Sequence, residues 1–152
     1  MKRLIFSYVG EWQQPEDLTQ EVFITVFLKI DTFKEKSSLK TWIYKIAVNK
    51  TKDYLRSWHY KKTTLSNNLF FIKHDNSVEE EFIMKERSNY ISTEVFKLPI
   101  KYREIILLYY YKDFSLSEIA AITNINSSTV RTRLARGRNI LERKLGGIFD
   151  EE

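Results

Sequence analysis

Helical periodicity in the segment from Ser38 to Lys62 constrains the fold of this chain more than any other feature. At 100° per residue, one side of the segment carries an apolar stripe, which consists of Leu39, Ile43, Ile46, Ala47 and Tyr54. Nowhere does the chain alternate between apolar and polar residues, as a half-buried strand would, for more than a few residues. The sequence therefore predicts an all-α protein.

A second stripe on the same predicted helix carries one aromatic ring, one amide and three cations. This polar stripe consists of Trp42, Lys45, Asn49, Lys52 and Arg56, at spacings of three and four residues. Such a composition is unusual for a face that meets only water. The alternative for Trp42 is a core position covered by the preceding loop.

Charge is distributed in blocks along the chain, whose net charge is +5. Five acids and one base lie between Glu11 and Asp31, whereas nine bases and two acids lie between Lys34 and Lys62. Six bases and one acid follow between Ser127 and Leu145. This pattern suggests a polyanion bound at two places and a basic protein surface bound at a third. For any single block, a solvated helix face is the simpler interpretation.

Several classes of function are disfavoured by composition. The chain has no cysteine, so we expect no disulfide, thiolate metal site or cysteine nucleophile. His59 and His74 are too far apart to suggest a paired metal site, and there is no glycine-rich phosphate loop. We expect neither an enzyme nor a cofactor. Because the apolar run Ile105–Tyr111 is too short to span a membrane and no signal peptide is recognisable, we expect a cytoplasmic protein.

Caps and composition divide the chain into two predicted helical domains, residues 1–60 and 77–152, joined by a flexible linker at 61–76. In the first domain, Pro15 suits the first position of a helix that buries Leu18, Val22, Val26 and Ile30, and Ser37 or Ser38 suits the cap of the next helix. The second domain begins with a capping-box spacing at Ser77 and Glu80 and extends helically towards Leu98.

A helix-turn-helix pattern occupies the end of the chain. Ser115 and Glu118 form a capping box before a short helix, which Asn124 can end in the left-handed conformation, and Ser127 or Ser128 can cap the last helix. That helix has an apolar stripe of Val130, Leu134, Gly137 and Leu141, with Gly137 suited to close approach by the preceding helix. Its other side is short-chained at the start and basic throughout, which favours insertion into a DNA major groove over a plain solvated surface.

Two stretches resemble a known family. Residues 15–57, beginning "PEDLTQEVFITVFLKI", and residues 98–145, containing "SLSEIAAITNINSSTVRTRLARGRNILERKL", resemble the two conserved domains of the extracytoplasmic-function group of bacterial RNA polymerase sigma factors, in the sigma-70 family. The resemblance implies a protein that binds core RNA polymerase, through the β′ clamp helices and the β flap, and directs promoter-specific initiation without catalysing a reaction. It also implies promoter DNA as a partner, and an anti-sigma factor is common in the family.

The resemblance further assigns residues to each partner. The polymerase-binding face would contain Asp17, Gln20, Glu21, Ile24 and Leu28. The polar stripe, with Lys34 and Ser37 of the loop before it, would recognise the −10 element during strand separation, where an aromatic ring can stack on bases, lysines bind phosphates and the Asn49 amide reads a flipped-out base. The −35 element would be contacted by Ser128, Thr129, Arg131, Thr132, Arg133 and Arg136.

Two other functions remain open from the residues alone. A stand-alone helix-turn-helix regulator would explain the C-terminal pattern but gives the acidic helix and the polar stripe no role. A polymerase-binding inhibitor would use the acidic helix without needing Asn49. The chain departs from the family in having only 14 residues before Pro15, so a trimmed first domain or a start further upstream is expected. Gly137 and Asn124 replace the usual alanine and glycine.

Overall fold

The computed structural model describes residues 1–10, 13–57 and 90–146, and every regular element in these ranges is helical, which confirms the all-α class. The helices are α1 (Lys2–Val9), α2 (Gln13–Lys29) with a 3₁₀ turn (Ile30–Thr32), α3 (Leu39–Arg56), α4 (residues 90–97), α5 (Ile100–Ile106) with a π-helical turn (Leu107–Tyr111), α6 (Leu116–Thr123) and α7 (Ser127–Leu145). The linker predicted at 61–76 and the capping box predicted at Ser77 and Glu80 lie outside the described residues.

Helices α1, α2 and α3 pack around one apolar core. Ile5 of α1, Val22 of α2 and Val48 of α3 are each almost completely buried in it. Helix α1 was not predicted, and it ends at Gly10, whose φ of 78° is left-handed and whose N–H donates to the carbonyl of Phe6 at 2.7 Å. The segment before α2 thus supplies a third helix to the core.

The predicted apolar stripes are correct at their centres and wrong at two ends. Leu18, Val22 and Ala47 are buried, but Ile30 is 43% exposed and Leu39 is 46% exposed. The chain tightens into a 3₁₀ turn at Ile30, where a spacing of 100° no longer applies, and Leu39 is the first residue of α3. Helix α2 also begins at Gln13, so Pro15 lies within the first turn rather than at its first position.

Side-chain caps fix where three helices begin. Ser38 accepts a hydrogen bond from the Thr41 N–H at 3.0 Å, and Ser115 with Glu118 forms the predicted capping box. For α7 the prediction of Ser127 or Ser128 is wrong, because Asn126 is the cap and accepts from the Thr129 N–H at 2.9 Å. Asparagine and serine are both competent caps, and the extended backbone at Asn126 decides among these three residues.

The turn before α7 uses a left-handed residue. Asn124 has φ 57° and ψ 40°, as predicted, and its N–H donates to the Ala120 carbonyl, closing α6. Asparagine tolerates this conformation better than most side chains do. The α6–turn–α7 unit is therefore a helix-turn-helix.

The N-terminal and C-terminal halves contact each other along α3 and α6, which the sequence had not predicted. The rings of Tyr44 and Phe114 meet edge to face with centroids 5.1 Å apart. The Thr41 hydroxyl donates to Glu118 at 3.2 Å, and Lys40 donates to the Lys112 carbonyl at 2.8 Å. These contacts place α3, which carries the polar stripe, directly against the helix-turn-helix.

Gly137 permits a close approach between α7 and α5. A Cβ atom added at Gly137 would lie 3.1 Å from Cγ1 of Ile106 and 3.4 Å from Cβ of Tyr102. The close approach predicted from the sequence is confirmed, but its partner is α5 and not the immediately preceding helix α6. The contact fixes how the outer side of α7 sits beside Lys101 and Tyr102.

Replacing Gly137 with valine should destabilise the fold by about 1–3 kcal/mol, because the added methyl groups would overlap Ile106. Urea unfolding measures this. The matched control is Ala135→Val on the exposed side of the same helix, which introduces the same β-branched side chain without a clash. Helix propensity alone would favour valine over glycine at 137 and disfavour valine relative to alanine at 135, so a loss at 137 no larger than that at 135 would refute the packing argument.

Candidate nucleic-acid and protein interfaces

The outer side of α2 is an exposed mixture of acidic and large apolar side chains. Asp17, Gln20 and Glu21 are exposed, and Ile24 and Leu28 are 59% and 73% exposed. All five residues that the resemblance assigns to polymerase binding are therefore accessible. Glu21 forms an ion pair with Lys50 of α3 at 3.7 Å, and since both side chains remain in contact with water, the pair contributes little to stability.

Two phenylalanines widen this surface and were missed in the sequence. Phe23 is 53% exposed and Phe27 is 78% exposed. The sequence feature that could have identified them is their spacing of four residues, which places two large apolar side chains on one side of α2 outside its core stripe. The α2 outer face is accordingly defined as Asp17, Gln20, Glu21, Phe23, Ile24, Phe27 and Leu28. A contiguous apolar patch of this kind typically marks a protein-binding surface.

The polar stripe follows one side of α3. Lys45, Asn49 and Arg56 are exposed, whereas Trp42 and Lys52 are partly buried. The Trp42 ring lies 5.3 Å from that of Phe33, which belongs to the loop before α3. Lys34 and Ser37 of that loop are exposed. The structure thus leaves the amide and two cations accessible and packs the tryptophan against the loop.

The predicted DNA-reading side of α7 faces a groove shared with α5. Ser128, Arg131, Thr132 and Arg136 are exposed, and Thr129 and Arg133 are partly buried. The groove has a volume of about 310 Å³ and is lined by Lys101, Tyr102, Ser128, Thr129, Thr132, Arg133 and Arg136. Lys101 and Tyr102 were missed in the sequence, because they lie on another helix.

Tyr102 lies beside two cations in this groove. Nζ of Lys101 is 5.0 Å from the centre of the Tyr102 ring, and Arg136 is close enough to the Tyr102 hydroxyl to affect its pKa. Although desolvation acts to raise it, the pKa of Tyr102 is lowered from its usual value by hydrogen bonding to Arg136 and Lys101 and by their charges. The groove is consequently a basic, hydroxyl-lined surface suited to an anion.

A buried carboxylate joins the two halves of the chain. Glu104 of α5 is 3% exposed and accepts a hydrogen bond from the Tyr8 hydroxyl of α1 at 2.6 Å. Nζ of Lys52 lies 2.9 Å from the same carboxylate, and Nη1 of Arg133 lies 3.7 Å from it. These four residues are the Glu104 cluster. They bring one residue of the polar stripe and one residue of α7 to a single acid.

The protonation state of Tyr8 suits this arrangement. Burial, reinforced by the adjacent Glu104 carboxylate, raises the pKa of Tyr8 well above its usual value. The hydroxyl therefore stays protonated and donates its hydrogen bond throughout the neutral range. None of the Glu104 contacts is visible in the sequence, since Tyr8 is 96 residues away along the chain.

Within residues 1–10, 13–57 and 90–146, no three His, Cys, Asp or Glu side chains are grouped so as to hold a metal ion. Among those same residues, no helix is both long enough and apolar enough to cross a membrane.

Two solved structures share this fold, and one of them is a sigma factor. The sigma factor RpoE from Bartonella quintana, solved with the anti-sigma factor NepR, superimposes with a TM-score of 0.74 at 24% identity, covering 95% of this chain and 88% of that one. CnrH, solved with the cytosolic domain of CnrY, gives a TM-score of 0.65 at 19% identity, covering 97% and 80% of the respective chains. The likeness extends over both halves of the fold.

Family models and relatives agree with the structural likeness. Residues 1–59 match the model of sigma-70 region 2, and residues 89–141 match that of sigma-70 region 4. The ECF RNA polymerase sigma factor SigW of Bacillus subtilis is 35% identical over 94% of this chain and 81% of its own length. SigM of the same organism is 30% identical over 98% and 91%. The chain therefore belongs to the ECF sigma factors of bacterial RNA polymerase.

Proposed function

We propose that this protein binds core RNA polymerase and directs transcription initiation from promoters that it recognises at a −35 and a −10 element. It contributes recognition and helps to melt the DNA, while polymerase carries out the chemistry, and it acts in the cytoplasm. The observation that carries the proposal is the match to sigma-70 regions 2 and 4, in that order, on one chain.

In this proposal each of the three interfaces binds a different partner. The α2 outer face binds the β′ clamp helices, the polar stripe with Lys34 and Ser37 binds the −10 element, and the exposed side of α7 binds the −35 element. Residues 1–60 and 77–152 act as the two domains, with residues 61–76 as the linker between them and the β flap as a second polymerase contact. Exposed apolar residues on α2 and basic residues on α3 and α7 support these assignments.

A stand-alone helix-turn-helix regulator is not favoured. Such a protein needs only the α6–turn–α7 unit, whereas the region 2 match covers the whole N-terminal half. The α2 outer face would then expose four large apolar side chains without purpose. An anti-sigma factor is a reasonable further partner, since RpoE was solved in complex with the anti-sigma factor NepR.

The first experiment is to mix the purified chain with bacterial core RNA polymerase and follow gel filtration, then to transcribe a library of promoter fragments. Co-elution together with enrichment of one −35 and −10 pair supports the proposal. If a well-folded chain stays apart from polymerase but binds a duplex tightly by itself, the stand-alone regulator becomes the better explanation.

Replacing Asn49 with alanine should change which bases are preferred within the −10 element, because the exposed amide is the group on the polar stripe able to read a base edge. We expect roughly 1–3 kcal/mol of lost discrimination at one position. Transcription from a −10 library measures the ranking. Lys45→Ala on the same stripe is the control and should weaken all promoters alike; an identical ranking for wild type and Asn49→Ala would refute the base-reading role.

A further inference from the structure

The Glu104 cluster holds two cations that the proposed function assigns to different stretches of DNA. Lys52 belongs to the polar stripe, which is proposed to bind the −10 element. Arg133 belongs to α7, which is proposed to bind the −35 element. Both cationic groups lie within 3.7 Å of the same carboxylate. Two DNA-binding surfaces therefore converge on one buried acid.

Promoter geometry does not allow the two cations to remain there. The names of the elements place them roughly 25 base pairs apart, which corresponds to about 85 Å of B-form DNA at about 3.4 Å per base pair. DNA of this length bends only at considerable cost, since its persistence length is about 150 base pairs. Lys52 and Arg133 cannot reach separate elements while Glu104 binds both.

We propose that Glu104 acts as an internal substitute for a DNA phosphate, which holds the two halves of the chain in a closed arrangement that promoter binding must open. The inference rests on the proposed function, since it assigns Lys52 and Arg133 to DNA. A buried carboxylate that forms ion pairs with a lysine and an arginine resembles the phosphate groups with which these cations pair in DNA. Promoter DNA and Glu104 consequently compete for the same two side chains.

Glu104 is suited to this role because its partners come from both halves of the chain. A buried carboxylate needs hydrogen bonds or ion pairs to offset its lost hydration, and the three partners of Glu104 come from α1, α3 and α7. Tyr8 and Lys52 belong to the N-terminal half, so separation of the halves removes both from Glu104. Water then replaces them at the newly exposed carboxylate, which keeps the cost of opening well below that of stranding a buried charge.

The other contacts described between the two halves do not involve residues that are assigned to DNA binding. Tyr44 packs on Phe114, and Thr41 donates to Glu118. Neither pair involves the polar stripe or the exposed side of α7. Competition between closure and DNA binding is therefore concentrated at the Glu104 cluster, which is where a substitution should act on both.

Energy transfer between two dyes can measure the closed population in the full-length chain. Because the protein has no cysteine, Asp31→Cys and Glu142→Cys create unique labelling sites on exposed positions in opposite halves. Glu104→Gln keeps the shape of the side chain and an acceptor for Tyr8 but removes its charge. Glu94→Gln is the matched control, since Glu94 is also buried and pairs with two lysines, Lys97 and Lys144, entirely within the C-terminal half.

We expect Glu104→Gln to increase the ratio of open to closed molecules about tenfold, as the loss of charge-assisted hydrogen bonds predicts. Glu94→Gln should leave the ratio unchanged. A −35 duplex should bind Glu104→Gln several-fold more tightly than Glu94→Gln, although both variants lose one negative charge. Lys52→Gln alters the partly exposed cation instead of the buried acid and should also increase the ratio of open to closed molecules. In a chain that already carries Glu104→Gln, the same substitution should change that ratio little, because the pair is already broken.

The inference is overturned if Glu104→Gln and Glu94→Gln give the same transfer efficiency and the same duplex affinity in folded protein, as checked by circular dichroism. It is also overturned if Lys52→Gln leaves the chain as closed as the wild type. Failure of the proposed function would give a different result. The wild type would then neither co-elute with polymerase nor start transcription, and this outcome does not depend on the measured energy transfer.

Discussion

Glu21→Lys is expected to abolish binding to core RNA polymerase while leaving the fold intact. Glu21 lies on the α2 outer face, where its carboxylate would meet a basic surface of the partner, and a lysine there would place like charges together. Such juxtaposition costs several kcal/mol, or at least about a hundredfold in affinity. The variant loses only the solvated pair with Lys50, so its unfolding midpoint should change little.

Fluorescence anisotropy of labelled chain titrated with core polymerase measures this effect. Asp53→Lys is the matched control, because Asp53 is an exposed acid on α3 whose ion pair with Arg56 is also solvated. It introduces the same change in charge away from the α2 outer face. An affinity of Glu21→Lys equal to that of Asp53→Lys would show that polymerase binds elsewhere.

Arg136→Ala is expected to weaken binding to the −35 element by about 1–3 kcal/mol, provided that its guanidinium makes a bidentate base contact. Arg136 is exposed and lines the groove between α7 and α5, so its guanidinium is accessible to a base edge.

Competition binding with the selected −35 duplex and with a scrambled duplex distinguishes two roles for Arg136. A loss confined to the selected sequence supports base recognition, whereas an equal loss on both reduces Arg136 to a phosphate contact. Arg138→Ala serves as the control, since Arg138 is exposed on α7 but lies about 200° around the helix from Arg136. Its removal should have a smaller effect on either duplex.

Features that depend on neighbours in sequence were predictable. The Ser115 and Glu118 capping box, the Ser38 cap and the left-handed Asn124 each involve residues at most four apart. The choice of Asn126 over Ser127 and Ser128 was not, because three adjacent residues can all cap a helix and the backbone selects one. Helix α1 was missed since its cap, Met1, offers no side-chain hydrogen bond to recognise.

Surfaces were predicted less completely than helices. The polar stripe of α3 was recognised because its residues repeat at helical spacing, but Phe23 and Phe27 were not, since apolar residues are first assigned to a core. Lys101 and Tyr102 reach the α7 groove from a separate helix. Contacts made by Glu104 depend on how two halves pack, and residue spacing carries no information about that packing.

The exposed side chains of the α2 outer face also determine which forces hold each partner. Burying Phe23, Ile24, Phe27 and Leu28 releases water from apolar surface, and that contribution is insensitive to ionic strength. Contacts of the basic side chains with DNA displace condensed counterions, so they weaken steeply as salt rises. A rise in salt concentration would therefore weaken binding to promoters well before it released the protein from polymerase.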